Sequence, residues 1–235
     1  MIEVHDLWKK FGGLAAIRGV NLSVGQGEVM VVFGPNGAGK STLINILSTT
    51  MKSSAGKAIL GGFNLKDNAL KIREIIGVVS HQTFLYDDLT AIENLSFYAR
   101  MFNIDNREQR IQEVLQRIRL YSRRNNPVGS YSRGMQQRLA IARAILHDPS
   151  IILFDEPFTG LDNKACKILM ELINEWKEDR KTILLTTHNL EKGLEIGQKF
   201  IILYRGEVVF STQKDAGEFP ELADQYQQWI EKQGE

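Results

Sequence analysis

Nine consecutive residues carry the strongest chemical signal in this 235-residue chain: Gly34, Pro35, Asn36, Gly37, Ala38, Gly39, Lys40, Ser41 and Thr42. They match G-x-x-x-x-G-K-[ST], a loop whose glycines let successive backbone N–H groups turn inward around phosphate oxygens. A helix starting there adds its partial positive charge. In that setting Lys40 reaches the β- and γ-phosphates and Ser41 offers a hydroxyl to Mg²⁺. ATP with Mg²⁺ is the expected ligand, and hydrolysis the expected reaction.

A second signal is the run Ile151-Ile152-Leu153-Phe154 followed by Asp155 and Glu156. A strand buried on both faces exposes acids only at its carboxyl end, where open α/β sheets bind ligands. Asp155 suits the Mg²⁺ shell. Glu156 suits a base that polarises an attacking water. A third is Tyr131-Ser132-Arg133-Gly134-Met135-Gln136-Gln137-Arg138, with Ser132 as the N-cap of a helix whose apolar face is Met135, Leu139, Ala142 and Leu146.

The surrounding elements read as an α/β core with a mostly parallel sheet, because short β-branched runs alternate with helical patterns. Strands are expected at Val29–Phe33, Ile75–Ser80, Ile151–Asp155, Thr182–Thr187 and Phe200–Tyr204, with helices over Thr42–Leu47 and after Asp162. The first strand and helix flank the phosphate loop as the motif requires. Residues 2–24 read as shorter, alternating strands of a small antiparallel flap. Residues 84–148 lack convincing strands and carry helical patterns at Glu93–Phe102 and Arg107–Leu120, which predicts a helical lobe inserted into a single domain spanning 1–235. A C-terminal tail, 212–235, is expected to end in an amphipathic helix over Glu221–Lys232.

Lys plus Arg number 29 against 28 Asp plus Glu, so bulk charge gives no case for a nucleic-acid or anionic-membrane partner. One cysteine, Cys166, excludes an internal disulfide and a multi-cysteine metal site. No apolar run approaches the ~20 residues that span a bilayer, and the first ten residues do not read as a signal. Any membrane part is expected from another chain.

The order of these pieces, with Gln82 after a strand, Thr159-Gly160-Leu161-Asp162 after the acids and His188 after Thr182–Thr187, resembles the nucleotide-binding domain of ATP-binding cassette (ABC) proteins. The resemblance runs from Phe11 to about Ser211. It implies that Phe11 stacks on adenine, that Gln82 senses Mg²⁺ and the γ-phosphate, and that His188 holds the γ-phosphate and the water. It further implies that Ser132, Gly134 and Asp162 face the nucleotide of a second copy, so that two copies sandwich two ATP molecules. A separate transmembrane permease is implied to dock near Thr83, Phe84, Leu85 and Tyr86, which places the chain at the cytoplasmic face of the cell membrane. The signature departs from the family's LSGGQ: Arg133 replaces the first glycine and Met135 the glutamine. YSRGMQQR with DEPFTGLD is similar to the ATP-binding subunits of haem exporters in cytochrome c maturation; drug, lipid or sodium export is the alternative. A soluble ABC ATPase acting on ribosomes or DNA is the competing class, disfavoured by the single phosphate loop and the absence of heptads.

Other residues read plainly. His5, His81 and His147 are expected to be surface or packed histidines, Cys166 a small buried residue and Trp176 core, while Trp8 and Trp229 have no assignment. Arg117–Arg124 reads as a solvated basic helix face, and Arg133 as a solvated side chain.

Overall fold

A computed structural model describes residues 1–80 and 82–214. The expected tail helix, Trp229 and His81 lie outside the described residues. The chain opens with β1 (Ile2–Phe11), β2 (Leu14–Val24), β3 (Val29–Phe33), α1 (Lys40–Leu47), β4 (Ala55–Leu60) and β5 (Phe63–Asn64). It continues through α2 (Ala69–Ile75), β6 (Ile76–Val79), α3 (Ala91–Met101), α4 (Arg107–Arg117) and α5 (Arg133–Ile145). Then follow β7 (Ile151–Asp155), α6 (Asn163–Glu178), β8 (Thr182–Thr187), α7 (Leu190–Ile196), β9 (Lys199–Tyr204) and β10 (Glu207–Gln213).

Two sheets result. One has six strands in the order β10-β9-β3-β8-β7-β6, parallel except where β10 pairs antiparallel with β9. The other has four, β2-β1-β4-β5, all antiparallel. β3 lies centrally in the first sheet, every one of its residues buried. Alternation along a strand sends neighbours to opposite faces, and here both faces are covered. Val29, Val31 and Phe33 join a core with α3–α7, whereas Met30 and Val32 join a second core with α1 and the antiparallel sheet. β7 divides the same way, with Ile152 and Phe154 on one side and Ile151 and Leu153 on the other.

Two expectations are corrected. The N-terminal strands are not short: β1 runs ten residues and β2 eleven. Their pairing slips register after Val4, Leu7 and Lys9, which breaks the alternation that marks a long strand in sequence. Nor is Arg117–Arg124 simply solvated. Arg117 donates to Glu175 at 2.9 Å and Arg119 to Glu171 at 2.7 Å, tying the end of α4 to α6.

Residues 84–148 contain α3, α4 and α5 and no named strand. α3 starts in a full capping box, Thr90 accepting from the Glu93 amide while the Glu93 carboxylate accepts from the Thr90 amide. The lobe shares its core with the sheet: Leu95 and Val114 belong to the same continuous cluster as Leu139, Phe154 and Leu169. Trp176 is buried against the Phe154 ring, and Cys166 is buried.

Candidate active site

The phosphate loop joins the end of β3 to the start of α1, which places it at the carboxyl end of the parallel sheet, beside the end of β7. Gly39 is the N-cap of α1, in a left-handed conformation at φ 108°. A Cβ there would lie 2.6 Å from the Ala16 carbonyl oxygen, so only glycine fits. Gly39 also has no side chain with which to cap the helix. The first-turn N–H groups of Lys40, Ser41 and Thr42 have no intrahelical partner and are left for an anion. Pro35, Asn36, Gly37, Gly39, Lys40, Ser41, Thr42 and Glu156 line a cavity of about 200 Å³ there. Gly34 and Ala38 are buried beneath it, and the Ser41 hydroxyl-bearing residue is exposed.

Lys40 and Glu156 line that cavity, and His188 joins them through Glu156. The Lys40 ammonium is buried and donates to the Gly34 carbonyl at 2.6 Å and the Pro35 carbonyl at 3.1 Å. It also lies 3.1 Å from Glu156 Oε1. That oxygen is buried and accepts no hydrogen bond, so its contact with Lys40 is an ion pair of poor hydrogen-bond geometry. The other oxygen, Oε2, accepts from the His188 amide at 3.3 Å and lies 2.9 Å from His188 Nδ1, which places the ring proton on Nδ1. Glu156 therefore bridges the phosphate loop and the residue after β8.

Glu156 owes this position to its backbone. Its φ is +52°, a left-handed conformation that costs a residue with a side chain roughly 1 kcal/mol or more. Its amide donates to the Thr186 carbonyl at 3.1 Å and to the Thr186 hydroxyl at 3.2 Å, which hold the turn. Thr186 also donates to the buried Asp155 carboxylate at 2.9 Å. Thr186 was not legible as a site residue; nothing in the run Thr-Ile-Leu-Leu-Thr-Thr separates its hydroxyl from its neighbours'.

The chemistry of the donor set fits a nucleotide with Mg²⁺: unspent amides and an ammonium for phosphate oxygens, a hydroxyl and a carboxylate for a hard cation. Gln82 is exposed and lines a neighbouring cleft with Thr83, Phe84, Arg133, Gln136, Gln137, Glu156 and Thr159. Phe11 ends β1 with 47% of its surface exposed and the Lys9 ammonium 4.9 Å from its ring centre.

Ser132, Gly134 and Asp162 are not among the residues lining the phosphate-loop cavity. Ser132 is the N-cap of α5, accepting from the Met135 amide at 3.3 Å, and Asp162 is the N-cap of α6, accepting from the Ala165 amide at 2.7 Å. Arg133 is exposed, as expected, and its guanidinium also lies against Gly160. His5 is exposed; His147 is packed, its ring stacked on Phe102 with centroids 3.8 Å apart and Nε2 3.0 Å from the Ile76 carbonyl. Burial pushes its pKa down to about 4.

Comparison with known proteins agrees with this geometry. The family described as ABC transporter matches residues 17–159. The ABC transporter ATP-binding protein NatA of Bacillus subtilis is 36% identical over 89% of this chain and 88% of its own. The linearmycin resistance ATP-binding protein LnrL of the same organism is 30% identical over 89% of this chain and 68% of its own. A solved dimeric ATP-binding cassette, in a post-hydrolysis state with ADP and Pi bound, is 32% identical and superimposes with a TM-score of 0.84 over 91% of this chain and 98% of its own. A phosphate loop facing a glutamate and a histidine, on this fold and among these relatives, identifies the chain as a member of the ABC transporter family, its ATP-binding and ATP-hydrolysing cassette.

Proposed function

We propose that the chain hydrolyses ATP at a site shared between two copies and thereby drives a separate permease. The observation that carries this reading is Glu156 at the phosphate-loop cavity, paired with Lys40 on one oxygen and His188 on the other. The chain's own residues divide the work. Backbone N–H groups of residues 37–42 and Lys40 hold phosphate oxygens, Phe11 stacks on adenine, and Ser41, Asp155 and Gln82 hold the cation. Mg²⁺ held by these residues would supply positive charge against the charge that develops on the phosphate oxygens. Glu156 accepts a proton from the attacking water, and His188 orients that water against the γ-phosphate. To do so, Glu156 must give up Lys40, which transfers its charge to phosphate.

Ser132, Gly134 and Asp162 stand on helix N-termini away from the chain's own phosphate loop, which supports assigning them to the nucleotide of a second copy. For the permease, the supporting feature is an exposed apolar patch of Phe84, Tyr86, Phe97 and Met101 at the segment expected to receive it. Tyr86 and Phe97 pack edge to face with centroids 5.5 Å apart. Among the described residues no helix is long and apolar enough to cross a membrane, in keeping with a membrane subunit on another chain. Export is the direction proposed. The name of one relative, a linearmycin resistance protein, favours the drug, lipid or sodium alternative, whereas haem export rests on the signature resemblance alone.

Purified chain carrying Glu156→Gln should bind ATP, cease hydrolysis and accumulate as a dimer; undiminished hydrolysis rules Glu156 out as the base. Copurification from native membranes should yield a multi-span protein, and recovery with ribosomes instead overturns the permease reading.

A further inference from the structure

α5 begins in a way its own physics disfavours. Arg133 occupies the first helical position and no acidic residue accompanies it in the first turn. A cation there opposes the positive end of the helix dipole. Local conflicts of this kind mark positions held for another reason.

Arg133 is exposed, and its guanidinium also lies against a neighbouring turn. A Cβ placed on Gly160 would lie 2.6 Å from both Cζ and Nε of Arg133 and 3.0 Å from Nη1. The planar group therefore lies over the face of the Gly160 turn, where φ is +73° and a side chain would be strained. Gly160 belongs to the four residues that run into the Asp162 N-cap of α6. A second contact repeats the link one residue on: a Cβ at Gly134 would meet the Ala165 Cβ at 3.4 Å, so the first turns of α5 and α6 pack backbone to side chain. Two contacts thus join two helix starts that the chain separates by some thirty residues.

We propose that Arg133 is a positioning residue that fixes the turn at Gly160 against the first turn of α5, so that Ser132, Gly134 and Asp162 meet a second copy's nucleotide as one preset surface. This rests on the composite site proposed above. A glycine at 133 has no plane with which to cover the turn, so the two helix starts would be free to reorder before each encounter. Preset contacts avoid that ordering cost on association.

The test uses the full chain carrying Glu156→Gln, with Arg133, Arg133→Ala or Arg133→Lys; alanine preserves helix-forming tendency and lysine preserves charge without the plane. In the nucleotide-free protein, amide exchange at residues 159–165 should speed up about tenfold in both variants while residues 34–42 are unaffected. ADP binding to the single chain should change by less than about twofold, and ATP–Mg²⁺-driven association should weaken by about fivefold or more. Loosening without weaker association makes Arg133 merely structural and overturns the proposal. Weaker association without loosening, or full rescue by lysine, makes it a charge effect and also overturns it. If the Arg133 chain associates normally and neither variant alters it, this inference alone fails. If the Arg133 chain does not associate with ATP at all, the composite site fails and takes the positioning role with it.

Discussion

The two halves of the site are built on different principles. The phosphate-loop half is closed on itself: Lys40 is buried, Glu156 is nearly so, and their charges meet each other and His188 across the cavity. It stands on β3 and β7, strands with every residue buried. The signature half is open. Ser132 and Arg133 are exposed and Gly134 half-exposed, and its polar groups are spent on helix caps rather than on one another. The contrast teaches that one half can recognise phosphate alone, while the other only presents a surface and depends on what arrives.

Four perturbations test that contrast, from the largest effect down. Glu156→Gln should lower turnover by about 10³-fold while nucleotide affinity persists, measured by phosphate release and by equilibrium binding. Equal loss of both would mean that Glu156 supports the loop rather than the chemistry. Lys40→Ala should weaken ATP binding to the single chain by about a hundredfold, since it removes the cation from phosphate and leaves Glu156 without its partner. Unchanged affinity would dissolve the distinction between the halves.

The third concerns the far end of the signature helix, where His147 is held neutral. Its folded pKa of about 4 lies below the usual value near 6.5, so the unfolded chain takes up the proton first. Stability is complete above pH 6.5 and falls as pH drops from 6.5 towards 4. From pH 7 to pH 5 the loss should be about 2 kcal/mol, and His147→Gln should abolish that part of it, read from urea midpoints at both pH values. A flat profile in the parent chain would show that His147 is solvated. Last, Ser132→Ala and Asp162→Ala should each cost about 1 kcal/mol of unfolding free energy with ADP affinity unchanged. A loss of ADP affinity would place those caps in the chain's own nucleotide site.

Much of this was legible in sequence for definite reasons. β3, β7 and β8 fall on their expected limits because strands covered on both faces are continuous apolar runs with sharp ends. The phosphate loop was legible because its geometry needs glycine at fixed spacing. β4 was not, since Ala55-Gly56-Lys57 is exposed and unpatterned. The contacts among Lys40, Glu156 and His188 were not either, because sheet order alone brings together residues 116 and 32 positions apart. Asp162 was expected as a contact for a second copy; an aspartate directly before a helix also announces an N-cap, and that signal was passed over.

The shared core of lobe and sheet limits how this protein can be rebuilt. α5 packs on α3 and α4 and also lies over β6, with Leu139 and Phe154 in one cluster. A graft exchanging residues 84–148 between relatives would cut through that cluster and leave mismatched surfaces on both pieces. A seam between α4 and α5 fares no better, because Arg110 donates to the Leu146 and Ile145 carbonyls and Arg138 to the Ile118 carbonyl, so the lobe and its sheet travel together.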